Sequence, residues 1–267
     1  MVKSIFITGA SSGIGKAMAI EAALRGYNVA LMARNIEALN ETAAICKDFH
    51  VQVFVFQGDV TSKLDCESFI HQGISALGSI HVLINNAGIS MRGLFKDTDV
   101  SVLEKLMNTN FWGTVYCTQA ALPELLKNKG SVVGISSIAG FKGLPARTGY
   151  SASKFAMQGF LESLRCENLK TGLHVLIACP GYTDSNIRKT ALNESGNAQG
   201  ESPLNEGKLM TSEEVALEVI NAIEKKRMYL ILTLQGKMAV LINKFWPKLA
   251  DKLTFNVIAK EPNSPFK

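Results

Sequence analysis

Tyr150 and Lys154 stand four residues apart in the segment YSASK, a spacing that puts both side chains on one face of a helix. A phenol of ordinary pKa, about 10, is a reluctant proton donor and a worse base. An ammonium held beside it favours the phenolate, so Lys154 is expected to lower the pKa of Tyr150. Ser137, in GISSIAG, ends an apolar run, where its hydroxyl can hold a substrate oxygen beside Tyr150. Such a trio suits proton transfer to a carbonyl that is being reduced by hydride, or the reverse transfer from an alcohol.

A second group of residues suits a phosphate-bearing ligand. Near the N-terminus, TGASSGIG places Gly9, Gly13 and Gly15 between an apolar run and a stretch of helical periodicity. A strand-to-helix turn of this kind offers backbone N–H groups and a helix N-terminus to a pyrophosphate, and glycines let the backbone approach it closely. Beyond it, LMARN places Ala33 and Arg34 at the end of the second apolar run. A carboxylate there would grip the ribose hydroxyls of NAD, whereas a guanidinium pairs with a 2′-phosphate; the expected dinucleotide is therefore NADP(H).

These groups need a frame. Short β-branched runs at residues 2–8, 28–33, 51–57, 80–85, 131–136, 174–178 and 229–233 alternate with amphipathic stretches such as 14–25, 36–48, 64–77 and 102–127. Strand then helix, repeated, implies a seven-stranded parallel sheet wound on both faces, an α/β Rossmann-like domain. The expected domain is 1–234, with a poorly patterned lid at 184–210, and the tail 235–267 is expected to pack on the same domain.

Composition narrows the class. With 267 residues, 47% of them hydrophobic, the chain can bury a large core without staples. Its five cysteines form no CxxC pair and its four histidines are dispersed, so free thiols and no metal site are expected. The net charge of +5 is spread along the chain rather than gathered in a block, which argues against nucleic-acid binding. No secretory leader pattern opens the chain and no apolar stretch approaches the 18 or so residues that span a bilayer, so the expectation is a cytoplasmic protein.

The form Thr8-Gly9-x-x-x-Gly13-x-Gly15 resembles the coenzyme motif of the classical short-chain dehydrogenases/reductases, and further matches follow in order: Asp59-Val60, Asn85-Asn86-Ala87-Gly88, Asn110, Ser137, Tyr150 with Lys154, and Pro180-Gly181. The resemblance implies Tyr150 as general acid/base, Ser137 orienting the carbonyl, Lys154 also binding the nicotinamide ribose, and Asn110 holding a water in a proton relay. It implies coenzyme contacts from Gly9, Ser11, Ser12, Gly13, Ile14, Gly15, Arg34, Asp59, Val60, Asn86, Ala87, Gly88, Tyr150, Lys154, Pro180, Gly181, Thr183 and Ser185. Ser185 stands where the family commonly has threonine. Many NADP-preferring members have a basic residue where this chain has Ser12.

An apolar pocket for a small lipophilic carbonyl or alcohol is expected from Met91, Leu94, Phe95, Phe141, Leu144, Tyr182 and Ile187. Arg92 reads as a solvated loop arginine and Cys179 as a buried strand-end thiol. The tail, unlike that of the commonest members, continues past residue 229 and leans towards the hydroxysteroid dehydrogenase-like and lipid-active reductases. There Met238, Leu241, Ile242, Phe245, Trp246, Leu249 and Leu253 interleave with lysines, with Pro247 breaking any single helix. Packing on the domain or beside the pocket is favoured over peripheral contact with an anionic membrane. A homodimer through the helices carrying Asn110 and Tyr150 is the family-derived expectation. NAD-dependent alcohol oxidation, and a coenzyme-binding sensor or scaffold without turnover, stand as alternatives.

Overall fold

The computed structural model describes residues 2–183, 187–200 and 209–266. Seven strands, β1 (Ser4–Thr8), β2 (Asn28–Ala33), β3 (Val53–Gln57), β4 (Val82–Asn85), β5 (Ser131–Ile135), β6 (His174–Cys179) and β7 (Tyr229–Ile231), form one sheet. All its pairings are parallel, in the order β3-β2-β1-β4-β5-β6-β7. The strands lie within two residues of the expected runs. The chain is thus a doubly wound Rossmann-like sheet with helices on both faces, and the winding reverses between β1 and β4, where such sheets open a crevice at their carboxyl ends.

Alternation along each strand decides which face is served. Ile5 and Ile7 of β1 join a core with α1 (Gly13–Leu24), α2 (Ile36–Lys47) and α7 (Ser212–Glu224). Phe6 points to the other face, among α3 (Lys63–Leu77), α5 (Gly113–Lys127) and α6 (Thr148–Glu167). Phe6 and Phe69 are fully buried with ring centroids 5.5 Å apart, and Gly73 on α3 leaves the room that the Phe6 ring occupies.

The stretch 102–127, expected as one helix, is instead α4 (Val100–Leu106), a π-helical turn over Met107–Trp112, and α5. The wider turn carries Asn110, whose carbonyl takes a hydrogen bond from the Thr114 hydroxyl at 2.9 Å. Insertions of this kind mark functional positions and have no hydrophobic-period signature, which is why the sequence read as unbroken. Beyond β7, α8 (Leu234–Phe245) and α9 (Pro247–Ala259) confirm the break at Pro247, which sits at the start of α9 where its missing N–H costs nothing.

Phe69→Ala should lower stability by about 3–5 kcal/mol through loss of the ring and the cavity left against Phe6, read as a fall in the urea midpoint with an unchanged slope.

Candidate active site

The turn after β1 shows what each glycine is for. Gly9 has φ +68° and Gly13 φ +51°, conformations that L side chains rarely adopt. A Cβ on Gly9 would lie 2.9 Å from the Ala87 Cα, and one on Gly15 would run into the Gly9 carbonyl and the Asn86 side-chain amide. The close approach is held by hydrogen bonds between the two loops: Asn86 Nδ2 donates to the Thr8 and Gly9 carbonyls at 2.9 and 3.2 Å. The Thr8 hydroxyl accepts from the backbone N–H groups of Asn86 and Ala87 at 3.0 and 3.1 Å.

Every residue expected to contact a coenzyme, from Gly9 through Thr183, lines one cavity of about 680 Å³ at the carboxyl ends of the strands. Ser185 lies outside the described residues. At the far end of this cavity, Arg34 is largely exposed, 3.9 Å from the Asp59 carboxylate, and the buried Ala33 places no carboxylate beside it.

At the near end stand Ser137, Tyr150 and Lys154. Ser137 caps the 3-10 turn Ile138–Gly140, its Oγ accepting from the Ala139 N–H at 3.2 Å, and its hydroxyl acts on the Tyr150 phenol. Lys154 is buried, with Nζ donating to the Ile135 carbonyl at 2.8 Å and lying 5.8 Å from the centroid of the Tyr150 ring. Burial pulls the Lys154 ammonium down to about 8. Asn110 is fully buried behind the cavity rather than lining it: its Oδ1 accepts from the Ile89 N–H at 2.8 Å, while Nδ2 donates to the Ile89 carbonyl and the Ser153 hydroxyl. A Cβ on Gly88 would sit 3.1 Å from Asn110 Oδ1 and 3.5 Å from Lys154 Nζ, so Gly88 keeps these two groups in one small space.

The electrostatics depart from expectation in one respect. Burial pushes the Tyr150 phenol up from its ordinary value; the Ser137 hydrogen bond pulls it down, Cys179 pushes it up, and the cation that pulls it down is Arg147. Lys154 also lies over the ring, with its ammonium donating to the Ile135 carbonyl. Cys179 is a buried thiol pushed up to about 12, an inert strand-end group as expected.

A second cavity, about 350 Å³ and mostly apolar, lies between the ends of β5 and β6 and the inner sides of α8 and α9. It shares Ser137, Leu144, Pro180, Gly181 and Tyr182 with the first, and Met238, Ile242, Leu253 and Ile258 wall it on the tail side. Of the side chains expected to form an apolar pocket, Leu144 and Tyr182 line it. Ile187 lines the larger cavity, Met91 is buried beside Tyr150, Phe141 packs on the core, and Phe95 is exposed and lines neither. The outward sides of α8 and α9 expose Leu241, Phe245, Trp246 and Leu249.

In the expected lid, residues 187–200 dock on the loop after β4. Leu192 is buried with Met91, Val102 and Leu106, and accepts from the Arg92 N–H at 2.8 Å. Residues 184–186 and 201–208 lie outside the described residues. Arg92 corrects its expectation: it is buried and ion-paired with Glu261 rather than solvated. Arg147 and Glu261 went unread because neither belongs to a motif, and only the folded tail brings them to the site. Among the described residues no three His, Cys, Asp or Glu side chains are placed to hold a metal ion, and no helix is long and apolar enough to cross a membrane.

Residues 3–196 match the short chain dehydrogenase family. The chain is 35% identical over 266 residues to the mouse dehydrogenase/reductase SDR family member 7B, covering 97% of this chain and 82% of that protein. It is 41% identical over 185 residues to an Arabidopsis thaliana 11-beta-hydroxysteroid dehydrogenase-like protein 4A, covering 68% of this chain and 62% of that longer relative. Two solved structures share the fold. One is a short-chain dehydrogenase/reductase from Burkholderia phymatum in complex with NAD, with TM-score 0.82, 22% identity, and coverage of 93% of this chain and 95% of that one. The other is an alcohol dehydrogenase from Thermococcus sibiricus complexed with 5-hydroxy-NADP, with TM-score 0.76, 24% identity, and coverage of 86% and 94%.

The pKa of Lys154 carries a stability signature. The unfolded chain keeps this proton to about pH 10.5 and the folded chain releases it near 8, so between these values the unfolded state binds more protons and stability rises with pH. In Lys154→Met the component of that rise due to this residue, up to about one proton in slope, should be missing from urea unfolding measured across the same window.

Proposed function

The chain belongs to the short-chain dehydrogenase family, and from that premise we propose that this oxidoreductase is an NADPH-dependent reductase of small lipophilic carbonyl compounds, with Tyr150 as its general acid/base. The observation that carries the reading is the junction of the two cavities. The larger, lined by the glycine turn that opens α1, where missing Cβ atoms let the turn close on the Asn86 loop, meets the smaller apolar one at Ser137, beside Tyr150 and Lys154. A dinucleotide in the first and a lipophilic substrate in the second would bring their reacting ends together there.

Bound in the larger cavity, the coenzyme supplies the hydride. The chain's own part is the proton and the geometry. Ser137 donates a hydrogen bond to the carbonyl oxygen and fixes it against Tyr150. As negative charge develops on that oxygen, the Tyr150 hydroxyl donates its proton to it, giving the alcohol and leaving a phenolate. Lys154, still cationic at neutral pH with its value near 8, faces the ring and stabilises that phenolate. Asn110, bonded to the Ile89 backbone and to Ser153 and Thr114, braces the loop after β4 on the far side of Gly88 from Lys154, and a relay water would need one of these bonds to give way. Gly181 and Thr183 would border the nicotinamide, and Arg34, largely exposed and only loosely paired with Asp59 at 3.9 Å, would meet a 2′-phosphate.

The tail belongs to this same catalytic unit, because α8 and α9 wall the apolar cavity. We assign the dimer contact to the outward faces of α5 and α6 and the turn before α5, where Trp112 and Phe155 are exposed.

Two measurements test the reading. Tyr150→Phe should lower NADPH-dependent turnover of lipophilic aldehydes and ketones about a thousandfold or more while NADPH still binds, and unchanged turnover would overturn it. Arg34→Ala should weaken NADPH binding by about tenfold or more and leave NADH binding within about twofold, measured by fluorescence titration of the free enzyme; equal losses for both would remove the case for NADP(H).

A further inference from the structure

The end of the chain is tied into the site by a buried ion cluster. Glu261, only 4% exposed, accepts two hydrogen bonds from Arg147 Nη2, at 3.0 and 2.9 Å. Arg92 Nη2 lies 3.5 Å from the same carboxylate and donates to the Pro262 carbonyl at 2.6 Å. Two guanidiniums therefore face one carboxylate in a dry place, and Arg92 Nε has no hydrogen-bond partner among the described residues. Arg147 is the residue that precedes α6, one helical turn before Tyr150, and it lines the larger cavity. Arg92 follows β4, and its neighbour Gly93 donates to the Ala146 carbonyl at 2.9 Å, so the two arginine-bearing loops are bonded to each other as well as to the tail.

We propose that Glu261 is a positioning residue for the reductase reaction, holding Arg147 in place and offsetting its charge so that the tail sets the field at the Tyr150 hydroxyl. The inference rests on the reading of Tyr150 as acid/base. Removing the Glu261 charge leaves Arg147 uncompensated, which favours the phenolate; removing Arg147 does the opposite. The other groups around the pair are accounted for. Tyr150 is faced by Ser137, Cys179 and Lys154; Tyr182 senses Arg147, Glu261 and Arg188; and Glu194 acts on Arg92. None of these would reverse the sign, because none is removed by either substitution. The physical link the proposal needs is the placement of Arg147 directly before α6, one helical turn from Tyr150 on the wall of the same cavity, and the direction agrees, since the Arg147 charge pulls the phenol down.

The test pairs two readouts on the full chain: the pH dependence of kcat/KM for NADPH-driven reduction, and the pH titration of ultraviolet phenolate absorbance taken as a difference against Tyr150→Phe. In Glu261→Gln the alkaline fall of kcat/KM and the absorbance midpoint should both move down by about half a pH unit or more. In Arg147→Met both should move up, and Glu261→Asp, which keeps the carboxylate, should stay nearer wild type than Glu261→Gln. If Glu261→Gln changes only KM or thermal stability while both midpoints stay fixed, the tail is a structural strap and the proposal is overturned. Full turnover in Tyr150→Phe would instead overturn the reaction reading, and the absorbance midpoint would still decide whether Glu261 acts on Tyr150.

Discussion

Asn86 is the side chain on which the arrangement of the site most depends. Its amide donates to two carbonyls of the glycine turn, and the reach is possible only because Gly9 and Gly15 carry no Cβ. That contact fastens the loop after β1 to the loop after β4 at the place where the sheet reverses its winding. The shape of the larger cavity follows from it. The same loop, two residues beyond, supplies Gly88 and then Ile89, whose backbone fixes Asn110, so the floor of the cavity and the end beside Tyr150 and Lys154 are parts of one hydrogen-bonded strip.

Burial shapes the chemistry from the other side. Lys154 and Tyr150 pay for their dry surroundings in opposite directions, the ammonium pulled down and the phenol pushed up, so desolvation opposes charge on both. The local partners oppose that shift: the Ser137 hydroxyl and the Arg147 charge pull the phenol back down, and the Lys154 ammonium keeps a bond to the Ile135 carbonyl. The Gln158 amide, donating to the Ser136 hydroxyl at 2.9 Å and to the Ser137 carbonyl at 3.3 Å, steadies the segment that presents Ser137. Gly140 makes room for that amide, since a Cβ there would collide with it.

Much of the fold was legible because its signals are local. The strand runs are apolar on both faces, as buried parallel strands must be, and the glycine turn, the YSASK helix and Pro247 each act within a few residues. What stayed hidden needs contacts between distant segments. The π turn at Asn110 depends on Ile89 and Ser153 for its bonds. Arg92 looked solvated because its partner lies 169 positions later, at Glu261. Helical spacing put Tyr150 and Lys154 on a shared face but could not reveal the bond from the ammonium to the Ile135 carbonyl or the nearby charge of Arg147. The apolar cavity was read only in part: Leu144 and Tyr182 line it as expected, and the tail was expected on the domain or beside the pocket, but its periodicity could not say which residues of α8 and α9 would form the outer wall.

The two cavities also draw on different parts of the chain. Residues 3–196, the part that matches the family as a whole, carry the described dinucleotide-facing surface, the Ser137–Tyr150–Lys154 group and the Asn86 contact. Much of the apolar wall comes from residues 233–258, beyond that shared part, on helices that touch the common core mainly at the turn after β5. The fold is thereby modular in construction: a change in the inner sides of α8 and α9 would reshape one chamber and leave the glycine turn and the Asn86 contact of the other untouched, the two meeting only at the shared doorway of Ser137, Leu144, Pro180, Gly181 and Tyr182.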